Sequence, residues 1–210
     1  MEKNQLEEVP SALPPSLEQL RLSQNLISRI PPGVFSKLEK LLLLDLQHNK
    51  LSDGVFKSDT FQGLKSLMQL NLAHNILRKM PPKVPPALHQ LYLDSNKIEN
   101  IPNGTSKGLP KNSFNISNLL VLHLSHNKIS SVPAISNRLE HLYLNNNSIE
   151  KINGTQICPA TWWPSRTFLL RSGERASPAL PGRLDGNYLK PPIPAGPHDC
   201  ASRLLQSVVI

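Results

Sequence analysis

The chain has 210 residues, 39% of them hydrophobic and 5% aromatic, and a formal charge of +8 from 23 basic and 15 acidic residues. That length suits one domain or one repeat array, and no apolar run approaches the roughly 20 residues that span a bilayer. The basic residues form no block, so the excess favours polyanions weakly, and no nucleic-acid partner, membrane span or cofactor is expected.

From the start, a pattern recurs. "MEKNQLEEVP" carries Asn4, Leu6 and Val9 in positions repeated far down the chain, with Met1 where the pattern asks for a buried leucine. The segments beginning at Leu17, Leu41, Leu67, Leu88, Leu119 and Leu139 then align without gaps on LxxLxLxxNx[LI]. Within each, xLxLx alternates apolar and polar residues, the period of a strand with one buried face. Leu20 and Leu22 are expected inward, with Gln19, Arg21 and Ser23 outward. A strand this short cannot bury its leucines alone, so neighbouring units must stack into a solenoid with a shared core.

The template asparagines Asn25, Asn49, Asn75, Asn96, Asn127 and Asn147 stand where the chain leaves each strand and turns inward. A buried amide offers both donor and acceptor to backbone groups of adjacent turns. Replacing one is expected to cost about 1 to 3 kcal/mol. After each strand come "IPPGVF", "MPPKVP", "IPNG" or "VPAI", where proline opposes regular helix. Extended strands on one side and bulkier irregular segments on the other curve the stack, with a parallel sheet on the inside.

Outward strand positions form a ladder of Arg21, Asp45, Asn71, Tyr92, His123 and Tyr143, flanked by Gln24, His48, His74, Ser95, His126 and Asn146. Such a wall is either a binding surface with tyrosine anchors or a merely solvated face. His48 and His74 occupy equivalent positions, but two histidines without a further ligand make no metal site. Cys158 and Cys200 are the only cysteines: buried thiols in a reducing compartment, a disulfide in an oxidising one. Four N-x-[ST] sequons occur, at Asn103, Asn115, Asn146 and Asn153. No nucleophile elbow, zinc-protease motif, phosphate loop or catalytic carboxylate pair is present, and no enzyme is expected.

The six repeats, "ISRIPPGVFSKLEKLLLLDLQHNKLSDGVF", "LDGNYLKPPIP" and the closing "RLLQSVVI" together resemble a small leucine-rich repeat proteoglycan. The resemblance covers residues 1–159 with one gap, then two short islands. It implies an α/β leucine-rich repeat solenoid, a right-handed horseshoe with a concave parallel β-sheet and an irregular, Pro-rich convex face. It also implies a secreted, N-glycosylated extracellular matrix protein that binds collagen, other matrix proteins and glycosaminoglycans such as heparan sulfate. Asn115, Asn146 and Asn153 match the family's glycan-bearing segments, and Cys158 and Cys200 match its C-terminal disulfide. A leucine-rich receptor ectodomain fragment or an intracellular repeat scaffold is the alternative.

The chain also departs from the family. Template asparagines from Asn4 to Asn187 are spaced 21, 24, 26, 21, 31, 20 and 40. The family's alternation puts about 19 more residues near 103–110, roughly one turn of the solenoid. Residues 1–157 are thus read as repeats, the first truncated and one apparently deleted, and 158–210 as a degenerate C-terminal cap region. The 210 residues are expected to lack the family's signal peptide, four-cysteine cap and basic N-terminal tail, which weakens the glycosaminoglycan expectation for them. Residues 160–182 and 195–202 keep the family's length with foreign content, as compensating reading-frame changes, an alternative exon or a divergent loop would produce. Ala179 and Gly182 stand where the template before Asn187 asks for leucine.

Overall fold

The computed structural model describes residues 1–101, 118–131 and 139–150, with the backbone of Gly182–Arg183. Each xLx segment is a three-residue strand: β1 Gln19–Arg21, β2 Leu43–Asp45, β3 Gln69–Asn71, β4 Gln90–Tyr92, β5 Val121–His123 and β6 His141–Tyr143. A seventh, β7 Gly182–Arg183, follows, and all pair in parallel in chain order. The register places Leu20, Leu44, Leu70, Leu91, Leu122 and Leu142 side by side. Gly182 lies opposite Leu142, so β7 continues the ladder with a glycine at a leucine position. Among the described residues the helical content is one 3-10 turn, Asp53–Val55.

The shared core follows from this register. Leu22, Leu46, Leu72, Leu93, Leu124 and Leu144 form one buried column, and Ile27, Leu51, Leu77, Ile98, Ile129 and Ile149 form another. Burial of each such side chain contributes about 1.5 to 3 kcal/mol, and every rung supplies several. The stacked coils make a horseshoe with the sheet on its concave side. Met1 differs from the buried residue its position predicts: it is 60% exposed, while the backbone of residues 1–9 still bonds to the next coil through Lys3 N to Ser23 O and Leu26 N to Leu6 O.

The asparagines work as a ladder. Asn49 Oδ1 accepts from Ile27 N at 2.9 Å, while its Nδ2 donates to Leu22 O at 3.0 Å, both in the preceding coil. The same amide also donates to Leu46 O and Gln47 O of its own coil. Asn75, Asn96, Asn127 and Asn147 repeat the arrangement. Leucine of similar size would strand one N–H in the core and take one of two donors from each of several carbonyls.

Convex segments come in two kinds. The longer coils are filled by Phe35, Phe56 and Phe61, with the Phe35 and Phe61 rings 6.4 Å apart and nearly parallel. Gly63 adopts φ +99°, and a Cβ there would come within 2.4 Å of the Ser36 carbonyl oxygen, so glycine is what lets these two coils close together. The shorter coil after β3 turns instead through Pro81, Pro82, Pro85 and Pro86, with Met80 and Val84 buried.

Candidate functional site

The concave wall is the surface the fold holds most regularly, because each strand contributes the same two outward positions in register. Arg21, Asp45, Asn71, Tyr92, His123 and Tyr143 stand next to one another along the sheet. In the C-terminal half the rings stack: Tyr92 on His123 with centroids 4.6 Å apart, and His123 on Tyr143 at 4.0 Å. Strand spacing of about 4.8 Å is close to what offset aromatic stacking prefers, so equivalent ring-bearing positions stack almost by necessity.

Asp94 anchors this stack. Its Oδ1 accepts from Ser125 N at 2.8 Å and its Oδ2 lies 3.3 Å from His123 Nδ1, tying two coils together. Tyr92 donates its hydroxyl to Gln90 at 3.1 Å. Burial, then the neighbouring Tyr143 and Asp94, raise the Tyr92 phenol above its ordinary range, keeping it a neutral donor.

The N-terminal half is built differently. Asp45 was expected on an open ladder, yet it is only 8% exposed. Its carboxylate turns down onto Gln47 N at 3.1 Å, and Asn71 makes the same bond to Ala73 N. Burial raises the Asp45 carboxyl above its usual value; the bond from Gln47 opposes this. Ser23, also expected outward, is 4% exposed and donates to the Glu2 carboxylate. A period of two fixes the face a side chain leaves from, and crowding between rungs decides whether it reaches solvent.

The flanking column has a property that spacing does not announce. Gln24, His48, His74, Ser95, His126 and Asn146 all take positive φ between 52° and 56°. This left-handed residue swings the chain inward and delivers the following asparagine to the ladder. Asn and His tolerate that region better than most side chains, which is the available sequence signal. His48 and His74 stack with centroids 3.9 Å apart. Burial, and next the charge of His48, lower the His74 imidazole below its ordinary value.

Asn146 is exposed in this column, its Nδ2 3.3 Å from His126 Nε2. Asn103, Asn115, Asn153, Cys158 and Cys200 lie outside the described residues, as do 103–110, 160–181 and 195–202. Among the described residues no group of three or more His, Cys, Asp or Glu is placed to hold a metal, and no helix is long and apolar enough to cross a membrane. A separate cleft of about 400 Å³, lined by Phe61, Lys65, Lys83, Val84, Pro85 and Pro86 among others, belongs to the connecting segments and not to the wall.

Comparison with known proteins agrees with this geometry. Family models described as "Leucine rich repeat" and "Leucine Rich repeats (2 copies)" match residues 15–77 and 117–156. The chain is similar to prolargin of Mus musculus, 74% identical over 229 residues, covering 100% of this chain and 60% of that protein. It is similar to prolargin of Homo sapiens at 73%, covering 98% and 58%, and to keratocan of Bos taurus at 49%, covering 100% and 64%. The chain thus spans about three fifths of the length of the curated relatives it matches. Among solved structures it is similar to a chain in an octameric complex of Latrophilin 3, Unc5D and FLRT2 (LRR), with TM-score 0.58 and 27% identity over 74% of this chain and 54% of that one. YopM from Yersinia enterocolitica, at 23% identity over 90% of this chain and 33% of that one and TM-score 0.57, shares the fold.

Proposed function

This chain belongs to the small leucine-rich repeat proteoglycan family, and from that membership we propose that it is a secreted, non-catalytic organiser of the extracellular matrix whose concave wall docks a collagen-type rod. The observation that carries this reading is the stack of Tyr92, His123 and Tyr143. Their inner faces cover one another, so the wall offers ring edges: two phenol hydroxyls, an imidazole edge and the adjacent Gln90 and Asn145 amides. A row of hydrogen-bonding edges at strand spacing fits a rod lined with carbonyls and hydroxyls, with the tyrosines as anchors. N-glycans on Asn115, Asn146 and Asn153 and a Cys158–Cys200 bridge belong to the same proposal, and glycosaminoglycan binding through general basic charge is its weaker part.

The test is surface-plasmon binding of the intact chain to an immobilised triple-helical collagen. Tyr92→Ala and Tyr143→Ala are expected to weaken binding about thirtyfold each, as hot-spot residues do, while Arg21→Ala changes it less than threefold. Unaltered binding by both tyrosine variants, with unchanged circular dichroism, would remove the wall from the reading.

A further inference from the structure

Histidines are concentrated on the concave wall. His48, His74, His123, His126 and His141, five of the seven in the chain, lie on the strands' outward face or in the left-handed column beside it. His48, His74 and His126 are exposed, whereas His123 and His141 are half-buried, and His141 Nδ1 is buried without a hydrogen-bond partner. Among the described residues the other titratable or charged groups facing them are few. Glu2 and Lys3 precede the first strand; Arg21 is on β1, Asp45 on β2, and Tyr92 with Asp94 on and just after β4. Tyr143 is on β6, with Glu140 immediately before that strand. Among the described residues, then, the wall carries two cationic side chains (Lys3 and Arg21), four anionic ones (Glu2, Asp45, Asp94 and Glu140) and five imidazoles.

We propose that acidification turns this wall into a cationic groove that takes up a linear sulfated polyanion. The gating is local: an imidazole's ordinary titration range lies just below neutral, and among the described residues no other exposed group on the wall changes charge there. The stacked pair gives the anion a specific place. Two imidazole rings 3.9 Å apart pack well while neutral, but as imidazolium ions they repel at contact distance, and an anion bridging their edges relieves that repulsion. His126 continues the same column beyond Ser95, so charge runs along the rungs in a line, the geometry of a chain ligand and not of a single small ion. Lys50, Lys97 and Lys128, exposed two residues after His48, Ser95 and His126, border it. Sulfate esters favour this window over phosphate monoesters: their charge is constant, whereas the second phosphate ionisation, near pH 6, is lost as the histidines gain theirs. The inference stands apart from the collagen reading, since it needs only the histidine geometry.

The experiment is equilibrium binding of dextran sulfate to the intact chain at pH 7.5 and 5.5 at constant ionic strength, with uncharged dextran as the control. Affinity is expected to rise at least tenfold at pH 5.5, with a steeper dependence on salt. His48→Asn, His74→Asn and His126→Asn combined keep a residue that tolerates the left-handed conformation, as Asn146 does, and are expected to erase the rise while leaving the value at pH 7.5 unchanged. Equal affinity at the two pH values, or a rise that survives in the triple variant, overturns the proposal. Should that variant not fold, the unsubstituted chain decides: by linkage, dextran sulfate must raise the apparent pKa of wall histidines followed by NMR. Histidine titrations unmoved by the polyanion overturn it equally.

Discussion

The two halves of the concave wall share one backbone and one register but use it in opposite ways. From β1 to β3 the outward residues fold onto their own coil: Asp45 caps Gln47 N, Asn71 caps Ala73 N, and Arg21 reaches Gln19 Oε1 at 3.2 Å. From β4 to β6 they reach across coils, ring on ring, with Asp94 linking its own coil to the next. Short polar side chains at this position are consumed by local backbone groups, so the rung closes on itself. Rings find no local backbone partner, Tyr92 reaching only the Gln90 side chain, and their faces are left to one another and their edges to whatever approaches. Residue type at a single template position therefore decides whether a rung serves the fold or presents a surface.

The largest effect should come from removing what both halves share. Asn96→Leu, at their junction, leaves Leu77 N without its acceptor and takes one of two amide donors from each of the Leu72 and Leu93 carbonyls, which keep Asn75 and Asn127. It is expected to cost about 3 kcal/mol, read as a lowered denaturant midpoint. Cutting the stack alone is milder: Tyr143→Ala should destabilise by about 1 kcal/mol, the scale of an aromatic pair, whereas Arg21→Ala should change stability by less than about 0.5 kcal/mol. Equal losses at the two positions would erase the contrast between the halves.

Asp45→Asn sharpens the contrast in the other direction. Asn71 already makes the same backbone bond one rung along, so the amide keeps the cap and sheds a desolvated charge. Because the Asp45 pKa is raised in the folded state, its ionised form costs stability above that raised value. The cost shrinks as pH falls from there to the unfolded value of 3.8, below which both states are protonated. The variant is therefore expected to be about 1 kcal/mol more stable at pH 7 and to lose that advantage by pH 3.5 in urea titrations. The smallest effect is His74→Gln. His74 has a lowered folded-state pKa, so protons favour the unfolded chain as pH falls below 6.5. Relative to the wild type, the variant should gain only a few tenths of a kcal/mol between pH 7.5 and 5.5, the site being exposed.

Much of this architecture is legible in the chain itself. The repeat template places every strand from β1 to β6 and the asparagine ladder, because spacing and amide chemistry are local properties. It reaches as far as β7, where Gly182 takes the leucine register. What it misses depends on neighbours distant in sequence. Asp45 sinks out of reach through crowding between rungs, and Met1 stands exposed although its position predicts a core residue. The positive φ before each asparagine leaves only the His and Asn content as its mark in a column that also holds Gln and Ser. The ring stack and the histidine line also exist only once coils separated by 20 to 31 residues are laid side by side.

Each ladder amide serves the coil before it as well as its own, and this gives the solenoid a polarity. A coil's inner N–H is completed only when its successor is in place, so each coil is finished by the one that follows it in the chain. Pulled from the carboxyl end, it should come apart rung by rung in the reverse order, each detachment uncapping the one behind it.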